Sequence, residues 1–223
     1  LTSTTDKVYK IFNKKNIKFK EKDFLGGHDP YSVSKVCVEQ IIENYKKVYF
    51  NYKNTKIITV RGGNIIGGGD WSKNRIIPDI IRSWKKKKNL HLRFPNSSRP
   101  WQHVLDALSS YIFLCETKLS IKSNNIYNVG PFNQKMIKTE KLVKLMGNYF
   151  SFNKYKKEKK NFIKETQYLS LDTTKIYKTI KFKPKLNIEE SIKMTAEWYL
   201  KYFNKEDVNT ICKNQIKFYY DKI

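Results

Sequence analysis

Tyr31 and Lys35 stand four residues apart in DPYSVSK (29–35), directly after an Asp-Pro pair. A tyrosine hydroxyl titrates near pH 10 in model peptides and is a poor base at neutrality, but an ammonium group beside it favours the phenolate. Four residues along a helix bring two side chains to one face, so Lys35 can reach both the Tyr31 hydroxyl and a bound polar cofactor. That arrangement suits removal of a proton from a sugar hydroxyl while hydride leaves the carbon. The same spacing also arises on any amphipathic helix surface, and alone it is a weak signal. Upstream, TSTTDKVY (2–9) supplies hydroxyls that can hydrogen-bond a reacting oxygen from a strand end, in a composition that equally suits a turn.

These residues need elements to hold them. Asp29 suits an N-cap and Pro30 a first helical position, for a helix from Tyr31 to about Phe50 in which Val38, Ile41, Ile42 and Tyr45 repeat with helical period. TKIITVRGGNIIGGGDW (55–71) opens on a β-branched run, reads as a buried parallel strand and ends in a glycine-rich loop. Residues 75–88 read as helical from Pro78 onward, 90–94 as a short strand, 101–119 as a long helix and 125–130 as a strand ending at Gly130. A helix near 138–150, an exposed lysine-rich connection over 151–164 and an amphipathic helix over 188–203 follow, with a charged tail from 204. Strands alternating with helices predict the α/β class.

Composition narrows the function classes. The 223 residues are 39% hydrophobic and 14% aromatic, enough for one sizeable core or a large and a small lobe. A net charge of +25 raises nucleic acid as a partner, but the lysines are spread along the chain and the clusters at 85–88 and 154–160 lack a regular aromatic interleave. No nucleic-acid partner is expected, and an anionic small molecule fits the charge. Cys37, Cys115 and Cys212 are odd in number and lack metal-type spacing, which predicts no metal site and a reduced, cytoplasmic setting. No apolar run approaches the ~18–20 residues of a membrane span, so no membrane partner is expected.

TTDKVY, DPYSVSK, VRGGNIIGGGDW, RIIPDIIR, RPWQHVLD, NIYNVGP and the stretch YLSLDTTKIYKTIKFKPKLNIEESIKMTAEWY occur in that order over residues 4–199. In this order they resemble the extended short-chain dehydrogenase/reductase family, most of all its CDP-glucose 4,6-dehydratase branch. GGGDW together with RPWQHV is far more specific than Tyr-x-x-x-Lys. The resemblance implies the C-terminal part of a Rossmann-type, doubly wound parallel sheet that binds NAD, with a smaller α/β lobe for a nucleotide-sugar substrate. Residues 1–65 are then the remainder of the NAD-binding domain. Residues 66–203 are mainly the sugar-nucleotide lobe, interleaved with late Rossmann elements, and 204–223 are the tail.

The resemblance also implies roles. Tyr31 is the base on the C4 hydroxyl, Lys35 holds the nicotinamide ribose, and Thr5 orients the C4 oxygen. Oxidation at C4 acidifies the C5 proton, water leaves across C5 and C6, and the hydride returns to C6. Asp6 matches the acid for the departing C6 hydroxyl. Lys7 falls at the C5-base position, where an ion-pair partner of Asp6 is the other reading. Asn64, Arg75, Arg99 and His103 are the implied substrate contacts. Guanidinium forks suit a diphosphate, while a surface salt bridge for Arg75 and a packing role for His103 stay open. The resemblance further implies a homodimer through the Tyr31 helix. The rival readings are a nucleotide-sugar 4-epimerase or decarboxylase of the same family, and an inactive sugar-nucleotide-binding remnant. The glycine-rich turn that should hold the NAD pyrophosphate does not occur in these residues, and Gly67, Gly68 and Gly69 read as a substrate-lobe loop. Beginning with Leu1, the chain is expected to be a fragment of a longer enzyme.

Overall fold

The computed structural model describes residues 1–11, 18–50, 55–120, 124–131, 136–158 and 168–222. Among them the strands are β1 (Thr2–Thr5), β2 (Lys18–Phe19), β3 (Thr59–Gly62), β4 (Ile65–Ile66), β5 (Leu90–Leu92), β6 (Ser98–Arg99), β7 (Gln102–His103), β8 (Ile126–Val129), β9 (Ile137–Lys138), β10 (Tyr155–Lys157) and β11 (Ser170–Leu171). The α-helices are α1 (Pro30–Tyr45), α2 (Ile76–Lys85), α3 (Val104–Glu116), α4 (Thr139–Tyr149), α5 (Thr174–Ile180), α6 (Ile188–Phe203) and α7 (Val208–Asp221). They fall into two compact units, one of residues 1–64, 107–132 and 168–184, the other of 65–106, 133–167 and 185–223.

The β-branched run before Arg61 becomes β3, buried at every residue, as a strand covered on both faces must be. It is the middle strand of a parallel sheet ordered β1-β3-β8, with Thr4 opposite Arg61 and Arg61 opposite Asn128. Parallel neighbours require crossovers, and α1 and α3 supply them. One sheet face is apolar: Val60, Tyr127 and Val129 pack with Ala107 and Leu114 of α3 and Ile176 and Tyr177 of α5. The other carries the polar row Thr4, Arg61 and Asn128. Beside it lies a small cluster of Val8, Tyr9, Phe19, Leu169 and Leu171.

Helix α1 starts where Asp29 and Pro30 place it. Asp29 and Ser32 form a reciprocal capping box, and Pro30, which lacks an N–H, sits where none is needed. The expected apolar stripe is not the buried one: Ile41 is 56% and Tyr45 54% exposed, whereas Ser32 and Glu39 are buried. The reason is the polar face of the sheet, which takes polar helix residues against it. After Tyr45 the backbone continues as one π turn through Phe50.

The second unit is built on helices. Ile77, Ile80 and Ile81 of α2, Leu142, Val143 and Met146 of α4, Ile192, Ala196 and Tyr199 of α6 and Ile211 of α7 close one core with Leu90 and Leu92. Helix α2 begins at Ile76, two residues before the expected Pro78, because proline fits a first turn whose N–H groups have no intrahelical partner. The long helix expected over 101–119 begins at Val104; Gln102 and His103 pair instead with Ile65 and Ile66. The connection expected over 151–164 contains β10, parallel to β5, because Tyr155 packs against the core; its later part lies outside the described residues. Within the charged tail α7 forms, capped by Asp207.

Gly68 and Gly69 belong to this unit. A Cβ on Gly68 falls 1.9 Å from Trp198 Cγ, and Gly69 has φ +82°, so the GGG run is a loop wrapped on an indole.

Candidate active site

Thr5 ends β1 and Asp6 begins a 3-10 turn (Asp6–Val8), for which Thr5 is the N-cap. The Thr5 hydroxyl donates to Asp6 Oδ1 at 3.1 Å and accepts from the Lys7 N–H at 3.4 Å. Thr5 and Asp6 are buried, at 7% and 3% exposure. This turn and β1 pack against α1. Lys7 is half-buried and close enough to the start of α1 to act on Asp29. The Asp29 carboxyl is held below its ordinary pKa, first by the Ser32 N–H and in smaller part by the Lys7 charge.

Tyr31 lies in the first turn of α1, 44% exposed, and the Lys35 ammonium sits 5.7 Å from its ring centroid. Among the described residues neither the Tyr31 hydroxyl nor the Lys35 ammonium has a hydrogen-bond partner. The turn carrying Thr5, Asp6 and Lys7 and the helix carrying Tyr31 and Lys35 thus meet at one corner of the first unit. Asn64 follows β3 by two residues and is half-buried.

Beneath that corner lies a network absent from the expected site. Arg61, 2% exposed, donates to Glu39 from Nε at 3.0 and 3.1 Å and from Nη2 at 2.6 Å. Its Nη1 donates to the Tyr9 hydroxyl at 2.9 Å and the Glu21 carbonyl at 3.0 Å. Tyr9 donates to Asn128 Oδ1 at 2.6 Å, and Thr4 to Glu39 at 2.7 Å. Burial holds the Tyr9 hydroxyl protonated, with its pKa pushed up to about 12, against the lowering effect of Arg61. Burial also works against the Arg61 charge, but its bonds to Glu39 and Tyr9 and the Glu39 charge together leave its pKa above the ordinary value. The signal in the sequence was an arginine ending an otherwise apolar strand, and a glutamate one helical repeat after Lys35.

Arg75, Arg99 and His103 lie in the second unit. Arg75 is exposed as the N-cap residue of α2 and makes no ion pair among the described residues. Arg99 is 3% exposed, on β6, and its Nη1 donates to the Ser98 carbonyl at 2.9 Å. His103 is fully buried. Its Nδ1 accepts from the Leu105 N–H at 3.2 Å, and its Nε2 has no partner among the described residues. Burial pushes its pKa down to about 4, so the ring is neutral at neutral pH. Among the described residues no group of three His, Cys, Asp or Glu side chains can hold a metal, and no helix is long and apolar enough to cross a membrane.

A parallel sheet whose strand end carries Thr-Asp beside a Tyr-x-x-x-Lys helix defines a class of fold, the Rossmann-type α/β fold. The chain belongs to the GDP-mannose 4,6 dehydratase family, whose model matches residues 1–195. It is 34% identical over 212 residues to a CDP-glucose 4,6-dehydratase of Salmonella typhimurium, covering 90% of this chain and 58% of the relative. It is 24% identical to a dTDP-glucose 4,6-dehydratase of Haemophilus influenzae, covering 88% and 59%. Among solved structures it superposes on an NAD complex of dTDP-glucose 4,6-dehydratase from Bacillus anthracis with TM-score 0.74 at 22% identity, over 89% of this chain and 60% of the other. A UDP-glucuronic acid 4-epimerase from Bacillus cereus gives 0.77 at 16% identity, over 90% and 60%. The chain therefore spans under two thirds of the length of these relatives.

Proposed function

We propose that this chain is the sugar-nucleotide-binding and proton-transferring part of an NAD-dependent nucleotide-sugar 4,6-dehydratase acting on CDP-glucose. The observation that carries the reading is the packing of the Thr5–Asp6–Lys7 turn against the helix that presents Tyr31 and Lys35. The Tyr31 hydroxyl and Lys35 ammonium, without a hydrogen-bond partner among the described residues, fit a nicotinamide ribose and a substrate hydroxyl on the open side of α1. Bound there, NAD would supply the oxidation at C4 and the matching reduction at C6.

The chain's own residues do the rest. Tyr31 takes the proton of the C4 hydroxyl, Lys35 holds the ribose and keeps positive charge beside the phenol, and the Thr5 hydroxyl orients the C4 oxygen. Asp6 hands a proton to the departing C6 oxygen, and Lys7 stands at the position of the C5 base. Arg75 and Arg99 take the diphosphate, with Asn64 and His103 Nε2 as further substrate contacts. A 4-epimerase of the same fold has no departing C6 hydroxyl to protonate, and Asp6 directly after Thr5 favours dehydration. Val33, Ile41 and Tyr45 form a half-exposed stripe on α1 that supports a homodimer through that helix.

The test is product formation from CDP-glucose with added NAD, on this chain and on a form extended upstream to the length of its relatives. A 4-keto-6-deoxy sugar from the extended form supports the reading. CDP-, dTDP- and UDP-glucose all left unchanged by both forms overturns it.

A further inference from the structure

We propose that the buried Glu39–Arg61 pair is a positioning device that sets α1 against β1, so that Tyr31 and Lys35 are held at a fixed distance and turn from Thr5. This rests on the proposed function and adds residues to it. Tyr31, Lys35 and Glu39 follow one another at i, i+4 and i+8, each about 40° round the helix from the last, so one line on α1 runs from the reacting hydroxyl to the buried carboxylate. Glu39 lies about 12 Å down the axis from Tyr31, so a tilt of about 10° about it moves Tyr31 by about 2 Å.

Both strands of the corner hold that carboxylate. Thr4, the residue before Thr5, donates to Oε1, and Arg61, directly opposite Thr4 across the β1–β3 pairing, donates to both oxygens. Arg61 is itself fixed through Tyr9 to Asn128 on β8. An apolar pair could fill this space, since replacing a buried ion pair by matched hydrophobic residues is often neutral or stabilising. What apolar contact lacks is direction. Three guanidinium contacts and one hydroxyl bond fix rotation and slide of the helix, and misplacement of a reacting group by about 1 Å costs about 100-fold in rate.

The test uses Glu39→Leu/Arg61→Met in the extended chain, with the single substitutions beside it. The double variant leaves Thr4 bonded to the Val60 carbonyl and Tyr9 to Asn128. The expected result is a melting temperature near that of the parent, kcat lower by about 100-fold, and KM for CDP-glucose within about threefold, because Arg75 and Arg99 lie in the other unit. Parental kcat in the folded double variant overturns the proposal. A second readout is independent of turnover: amide hydrogen exchange along α1 is expected to quicken at least about tenfold in the double variant while β8 stays protected. Unchanged α1 protection overturns it equally. If the parent makes no product while α1 exchange responds as stated, the functional reading has failed and the positioning role stands.

Discussion

The two units solve burial differently. In the first, the sheet face under α1 is a row of polar side chains with a charge at its centre, and nearly every contact there has a direction. In the second, the core is aromatic and aliphatic packing, with Trp84 against Phe150 at 4.7 Å and Trp198 edge-on to Tyr199 at 5.2 Å. Directional bonds fix angles that dispersion leaves soft. The contrast matches the proposed division of labour: the first unit must aim a hydroxyl at a proton, and the second must present guanidinium groups to a diphosphate.

The largest effect expected is at the centre of the polar row. Arg61→Met leaves Glu39 buried without its cation and lowers the unfolding free energy by about 4 kcal/mol, read by denaturant titration. A cost below about 1 kcal/mol breaks the contrast, since an apolar residue would then serve equally well there.

The second unit has its own buried polar group, His103, and it makes the next prediction. Its folded pKa of about 4 lies below the ordinary 6.5, so between those values the unfolded chain binds more protons than the folded one. Stability present above pH 6.5 is lost as the pH falls, by about 3 kcal/mol at pH 4. His103→Asn should flatten that acid slope, measured by denaturant titration across the range. Gly68→Ala drives a methyl group into the Trp198 indole and is expected to cost about 2 kcal/mol by the same titration. Smallest in stability is Tyr31→Phe, within about 0.5 kcal/mol because the ring is exposed. In the extended chain it should nonetheless cut product formation by about 1,000-fold.

How far the sequence reveals this structure also differs between the units. In α2 the isoleucine spacing gives both the helix and its buried face, because an apolar core selects apolar residues at helical period. In α1 the same kind of spacing gives the helix but not the face, since the buried side chains are Ser32 and Glu39. Helix α7 escapes because lysines break its apolar pattern, although Ile211 and Tyr219 are buried. The candidate site residues come from short local stretches, Thr5-Asp6-Lys7 through the resemblance and Tyr31-x-x-x-Lys35 through a helical spacing joined to that resemblance. The Glu39–Arg61 pair has no such local signal, because its partners are 22 residues apart and meet only where α1 packs on the sheet. Nor does any spacing in RPWQHV announce that His103 is fully buried.

Dehydration across C5 and C6 is tested most directly by incubating the extended chain with CDP-glucose and NAD in deuterium oxide. The mechanism predicts one deuterium at C5 of a 4-keto-6-deoxy product, where a solvent proton returns, and none at C6, which receives the hydrogen removed from C4. A C4 epimer with no deuterium on carbon contradicts it.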